Sequence, residues 1–329
     1  MTGRSKKSKI QSTPGPCSRR RMLHTPRHAA LLFSFLATLI FFGKAIGAGE
    51  TYLLQGEAIR ILFKKPHEPV AKELLQIYPE VKKEIEKIFG WDLTLTPSIL
   101  LVKESSQFQE WATSPLTIAF AVPQRGLVVI DYSKMKTHPF NLRNTFKHEL
   151  CHLLLHQHIR SELLPRWLDE GVAQWASDGV GDIVLDQKRS LLHKAALHGR
   201  FIPLDSLVRG FPERDQNLIL AYEESKSFVD YLIGMSGTQG VLKVLRGMEQ
   251  GKEVKAAVLE SYAVSLAALE REWQRDVTRR MTWFTYLSYH LYEILFAVAA
   301  LITLYGFIRV MVKKRRQMKE EDFEADLEV

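Results

Sequence analysis

Two apolar runs bracket this chain and limit what it can fold into. The first, Ala29–Gly43 (AALLFSFLATLIFFG), follows a basic tail and precedes the small-residue stretch Lys44–Gly49, KAIGAG. Basic, apolar and small-residue regions in that order form an export signal. Fifteen apolar residues are short for a spanning helix and favour a cleaved signal, whereas the long basic region leaves an uncleaved anchor open. The second run, Phe284–Val312, is densest over Ile294–Ile308. Trp283, Tyr286, Tyr289 and Tyr292 gather at its start as an interfacial belt, and Lys313, Lys314, Arg315 and Arg316 follow it. Positive charge marks the cytoplasmic side of a membrane. Both runs therefore predict one arrangement: 1–48 leader, 49–283 outside the cytoplasm, 284–312 in the membrane and 313–329 inside. The exported part is expected outside the cytoplasm, tethered to the cytoplasmic membrane.

Charge tells the same story. The 329 residues carry 45 Lys+Arg against 37 Asp+Glu, a formal net charge of +8. Such basicity is one footprint of nucleic-acid binding, but residues 1–28 hold eight basic side chains and no acidic one. The exported stretch 49–283 balances at 30 against 30. The excess charge therefore reports topology, and no nucleic-acid partner is expected. Of the two cysteines, Cys17 lies in the leader and Cys151 in the exported part, so no disulfide can form within that part.

The exported stretch reads as one α+β domain. Strands are expected at 58–63, 98–103, 117–122 and 127–131, the last two joined by Pro123–Gly126 (PQRG) as a hairpin. Leu74, Leu75, Tyr78, Val81, Ile85 and Ile88 recur at helical spacing and stop at Gly90. A short helix is expected at 105–112. From Asn141 onward the pattern is helical, at 141–158, 164–178, 184–197, 219–235, 238–248, 252–260 and 264–281. Strands first and helices after give the α+β class.

Residues 148–152 read His-Glu-Leu-Cys-His. Two histidines four apart share one helix face and can reach one ion, with Glu149 beside them to handle the proton of a hydrolytic water. Zinc accepts nitrogen and carboxylate ligands and leaves a position open. A third ligand is needed, and two candidates exist. Glu170, 18 residues after His152 in WLDEGVAQW, sits on the next expected helix, which Pro165 suits as a start. His158 occupies the third-histidine position of HExxHxxGxxH, but the glycine that turns that motif is here Leu155, a good helix former. Glu170 is therefore favoured, and His156 and His158 read as polar helix-end residues. Cys151, adjacent to His152, reads as a small packing residue.

HELCH followed by LPRWLDEGVAQW resembles the gluzincin metallopeptidases, most closely the compact bacterial peptidase-MA-like domains, over roughly 115–280. The resemblance implies a zincin-like domain with one Zn2+ bound by His148, His152 and Glu170, and Glu149 as the catalytic base. It implies that the strand near Ile118–Val122 edges the cleft and pairs with an extended peptide. Tyr222, in Ala221-Tyr222-Glu223-Glu224-Ser225, resembles the tyrosine of gluzincin aminopeptidases that donates to the oxyanion, although the Lys-Gly that follows theirs is absent. Thermolysin-like enzymes carry an aspartate four residues after the glutamate ligand to orient a histidine. This chain has Gln174 there, leaving Asp131 and Asp169 as candidates for that role. The implied activity is hydrolysis of a peptide or protein substrate at a membrane. The alternative is a catalytically silent zincin-like binding module, against which the intact ligand set and Glu149 argue.

Overall fold

The computed structural model describes residues 50–102, 105–112, 117–133, 141–177, 190–213, 215–280, 287–288 and 290–327. The leader with Cys17, the run Ala29–Gly43, the aromatic residues Trp283, Tyr286 and Tyr289, and positions 184–189 of one expected helix lie outside them. So do the side chains of the acidic tail.

Among the described residues, one sheet holds five strands: β1 (Thr51–Gln55), β2 (Arg60–Lys64), β3 (Ser98–Val102), β4 (Ala119–Val122) and β5 (Leu127–Asp131). Their order across the sheet is β1-β2-β3-β5-β4. The two inner pairings, β2 with β3 and β3 with β5, are parallel, and both outer ones are antiparallel. The expected hairpin is present: Ala119 pairs with Ile130 and Val122 with Leu127. A short 3-10 turn, Pro123–Arg125, joins the strands, and Gly126 closes it at φ 56, a left-handed conformation that suits glycine. The hairpin leaves β4 at the sheet edge, with one row of backbone groups available for pairing.

Strand β1 has no counterpart among the expected strands. It pairs along one side only and its residues are mostly exposed, so it lacks the alternating burial that marks a strand in a sequence.

Helix α1 (Glu68–Phe89) lays Val70, Leu74, Tyr78, Val81, Ile85 and Phe89 into the core, and ends at Gly90. Strand residues Ile61, Ile99, Leu101, Val128 and Ile130 share that core. The short α2 (Ser105–Trp111) brings Phe108 against Phe120 of β4, ring centroids 5.4 Å apart. Helix α3 (Leu142–His158) packs between α1, β4 and the next helix, α4 (Arg166–Ala176). Its start is fixed by Asn141, whose side chain accepts hydrogen bonds from the backbone N–H groups of Arg143 and Asn144.

The remaining helices are α5 (Leu191–His198), α6 (Asp215–Glu249), α7 (Val254–Tyr262), α8 (Leu266–Arg280) and α9 (Leu291–Leu327). The two helices expected at 219–235 and 238–248 form one run, broken at Ser236 and at Gly237, whose φ is 66. Trp167 of α4, Phe228 of α6 and Trp273 of α8 meet edge to face at 5.3 and 5.5 Å and are all fully buried. Truncating such a ring to alanine costs about 3–5 kcal/mol, so this chain of aromatics locks the three helices together. The α+β class is as expected: a small mixed sheet, then helices.

Among the described residues, Leu291–Arg315 of α9 is the one helix long and apolar enough to cross a membrane, with 25 residues and a mean hydropathy of 2.2. Its apolar side chains, such as Phe296, Leu301 and Phe307, are exposed.

Candidate metal centre

The site lies where α3 and α4 cross. The helical repeat puts His148 and His152 on one face of α3, as expected, and a chain reversal over 159–165 returns Glu170 of α4 to them. One ligand atom from each of the three groups lies within 4.8 Å of the other two, and all three residues are buried. The facing Nε2 atoms of the two histidines are 3.1 Å apart. Glu170 Oε2 is 3.4 Å from His148 Nε2 and 3.7 Å from His152 Nε2.

The surrounding groups fix which atoms face inward. Asp169 Oδ1 is 2.7 Å from His152 Nδ1. A carboxylate only accepts, so that nitrogen carries the hydrogen and Nε2 is left with its lone pair. Ser177 Oγ donates to the Gln174 carbonyl at 3.3 Å and lies 3.4 Å from His148 Nδ1, so it is placed to accept that nitrogen's hydrogen. Two imidazole lone pairs and a carboxylate oxygen thus converge. Among the described residues, buried Glu170 Oε2 has no hydrogen-bond partner. A buried carboxylate oxygen without a donor is costly, and a cation shared with the two histidines would satisfy it. The donor set, two nitrogens and one carboxylate oxygen, suits zinc.

The electrostatics point the same way. Burial alone would lower the pKa of His152, but Asp169, Glu170 and Glu149 outweigh it and raise it to about 9. Burial would raise Glu170, but Arg166, then His152 and His148, hold it below the usual carboxylate range. The pocket therefore favours positive charge. Glu149 is buried next to the cluster. Burial pushes its pKa up, His148 and His152 oppose this, and Glu170 adds to it.

Tyr222, on α6, is half-buried and stands edge to face with Phe211. Burial and the charge of Glu170 raise its pKa, and the positive charge of Arg166 opposes the rise. Its backbone carbonyl accepts from Gln174 Nε2 at 3.3 Å, which sets Tyr222 beside the helix that carries Glu170.

Other candidates fall elsewhere. Leu155 is buried and helical, and α3 continues through His158, which turns away from the cluster. His158 stacks on Trp91 with centroids 4.7 Å apart and reaches Glu249 at 3.1 Å. His156 meets Ser161 and Asp169. Asp131 binds Ser133 instead of a histidine, so of the two aspartates it is Asp169 that orients one. Cys151 packs in the core.

Three contributors escape a reading of the motif alone. Ser177 lies seven residues after Glu170, two turns along the same helix face. Arg166 lies four before it, a spacing at which opposite charges pair on a helix. Gly171 is the third: a Cβ there would meet Ser225 O at 2.5 Å and Val229 Cγ2 at 2.7 Å. Only glycine lets α4 approach α6 so closely, an approach at which Gln174 Nε2 donates to the Tyr222 carbonyl at 3.3 Å.

A sequence profile described as the Peptidase MA superfamily matches residues 108–279. The chain belongs to that superfamily. Its domain is of the gluzincin, peptidase-MA-like kind and its fold is zincin-like. No curated protein matches the chain in sequence. Among solved structures, it is similar to yeast LTA4 hydrolase in complex with bestatin, at 14% identity and a TM-score of 0.40, over 65% of this chain and 37% of that one. It is also similar to an M1 zinc metallopeptidase from Deinococcus radiodurans, at 16% identity and a TM-score of 0.34, over 71% of this chain and 52% of that one. The superfamily member described here thus spans a third to a half of the length of these proteins.

Proposed function

We propose that the chain is a zinc-dependent peptidase held at a membrane. His148, His152 and Glu170 hold the ion. The observation that carries this reading is the unpartnered Oε2 of buried Glu170, facing two imidazole nitrogens whose other nitrogens are held by Asp169 and Ser177. Zinc there supplies a Lewis acid that polarises the peptide carbonyl and acidifies a water.

The chain's own residues do the rest. Glu149 takes the proton of the attacking water on its carboxylate and delivers it to the leaving amine. Its pKa, raised chiefly by burial, suits a group that must both accept and release a proton. Tyr222 donates its hydroxyl hydrogen to the oxyanion that forms at the carbonyl. Edge strand β4 pairs with an extended stretch of substrate, which gives affinity with little sequence choice.

The membrane assignment rests on Leu291–Arg315. In this reading 49–283 lie on the periplasmic side of a bacterial cytoplasmic membrane and 313–329 in the cytoplasm, which the charge distribution of the sequence supports.

Metal analysis of purified variants tests the ligand set. Glu170→Ala is expected to lose zinc, and His158→Ala to keep it. The reverse pattern contradicts the assignment.

A further inference from the structure

Arg166 opens α4 one turn before Glu170. Its Nη2 lies 2.5 Å from Glu170 Oε1, the oxygen left over when Oε2 faces the histidines, and its Nη1 lies 3.5 Å from Asp169 Oδ2. One planar fork thus touches a candidate metal ligand and the aspartate that orients a second ligand. A lysine offers a point charge and cannot hold that geometry.

The contact with Glu170 removes a freedom that hydrolysis cannot tolerate. A carboxylate with both oxygens available can grip a metal with both and crowd the position the substrate needs. An ion pair on Oε1 competes with that second grip. Resting on the zinc-peptidase reading above, we propose that Arg166 is a positioning residue that holds Glu170 to one-oxygen binding of the metal.

The test uses the detergent-extracted full chain, with Arg166→Met and Arg166→Lys. Cobalt(II) in place of zinc reports coordination without reference to activity. Arg166→Met is expected to lose visible absorption intensity as Glu170 engages through both oxygens. With zinc bound, its kcat is expected to fall about 10- to 100-fold, the range typical of groups that orient metal ligands, while KM stays within about twofold. Arg166→Lys keeps the charge and is expected to remain impaired in kcat.

A wild-type cobalt spectrum in Arg166→Met or full activity in Arg166→Lys overturns the proposal. Matched melting temperatures of the metal-loaded variants separate positioning from misfolding; a kcat loss that merely tracks a lowered melting temperature also overturns it. A wild-type chain that binds neither cobalt nor zinc overturns the peptidase reading, and this proposal with it.

Discussion

Glu170 and Glu224 are both buried, yet their environments drive their pKa values in opposite directions. Burial is the largest influence on each and raises both. At Glu170, Arg166, His152 and His148 overcome it. At Glu224, the backbone N–H of Ile202 opposes it weakly, Glu270 and Glu223 reinforce it, and the pKa rises to about 8. The hydrogen bonds explain the division of labour. Both oxygens of Glu224 face Ile202 N, at 3.1 and 3.2 Å. Neighbouring Glu223 accepts from Ser190 Oγ and Leu191 N, and Glu270 accepts from Leu204 N. These three acids staple the 190–204 connection to α6 and α8. Glu170, by contrast, keeps one oxygen with no donor, aimed at two imidazoles. What a buried acid leaves unsatisfied, more than its burial, separates a binding group from a structural one.

Removing each acid should separate the two regions. Glu170→Ala is expected to bring both zinc content and peptide cleavage to background. Glu224→Gln should leave both unchanged, and its effect should appear in thermal melts. Because the folded pKa of about 8 exceeds the ordinary 4.5, the folded chain binds that proton more tightly than the unfolded one. Stability from this group is complete below pH 4.5 and declines as pH rises to 8, by about 4–5 kcal/mol at most. Glu224→Gln should therefore match wild type near pH 4 and exceed it at pH 8. A variant that melts below wild type at pH 8 breaks the comparison.

Smaller changes sharpen it. Asp169→Asn keeps the shape but weakens the hold on His152, and zinc affinity should drop about 10- to 100-fold in a chelator competition. Gly171→Ala should cost about 1–3 kcal/mol through overpacking against Ser225 and Val229, read by denaturant unfolding. His158→Ala should have the smallest effect, with zinc retained and stability lowered by about 1 kcal/mol from the lost stack on Trp91.

Much of this was legible in the sequence, for physical reasons. The i, i+4 spacing of His148 and His152 fixes a shared face as soon as α3 is helical. Leu155 keeps that helix straight and rotates His158 away. Pro165 starts α4 and returns Glu170. Turn chemistry marked the Pro123–Gly126 hairpin, and the gap expected between 235 and 238 coincides with the break in α6 at Ser236 and Gly237. The rest depended on tertiary placement. Asp169 and Asp131 were equal candidates until the crossing of α3 and α4 brought Asp169 to His152. Ser177 and Arg166 owe their roles to helix spacing from Glu170, a signal present in the sequence but meaningful only once Glu170 is placed. Gly171 is explained by the backbone of α6, 54 residues further on at Ser225, and β1 by its exposed position at the sheet edge.

The proposed hydrolysis of peptides by Glu149, with an ion held by His148, His152 and Glu170, is tested most directly by cleavage of a peptide library by the detergent-extracted chain, before and after chelation and again after zinc is returned, with Glu149→Gln run alongside. Cleavage is expected to be abolished by chelator and restored by zinc, and the Glu149→Gln variant to keep its zinc and cleave about 10²- to 10⁴-fold more slowly. Cleavage indifferent to chelator, or a Glu149→Gln variant as fast as wild type, would contradict it.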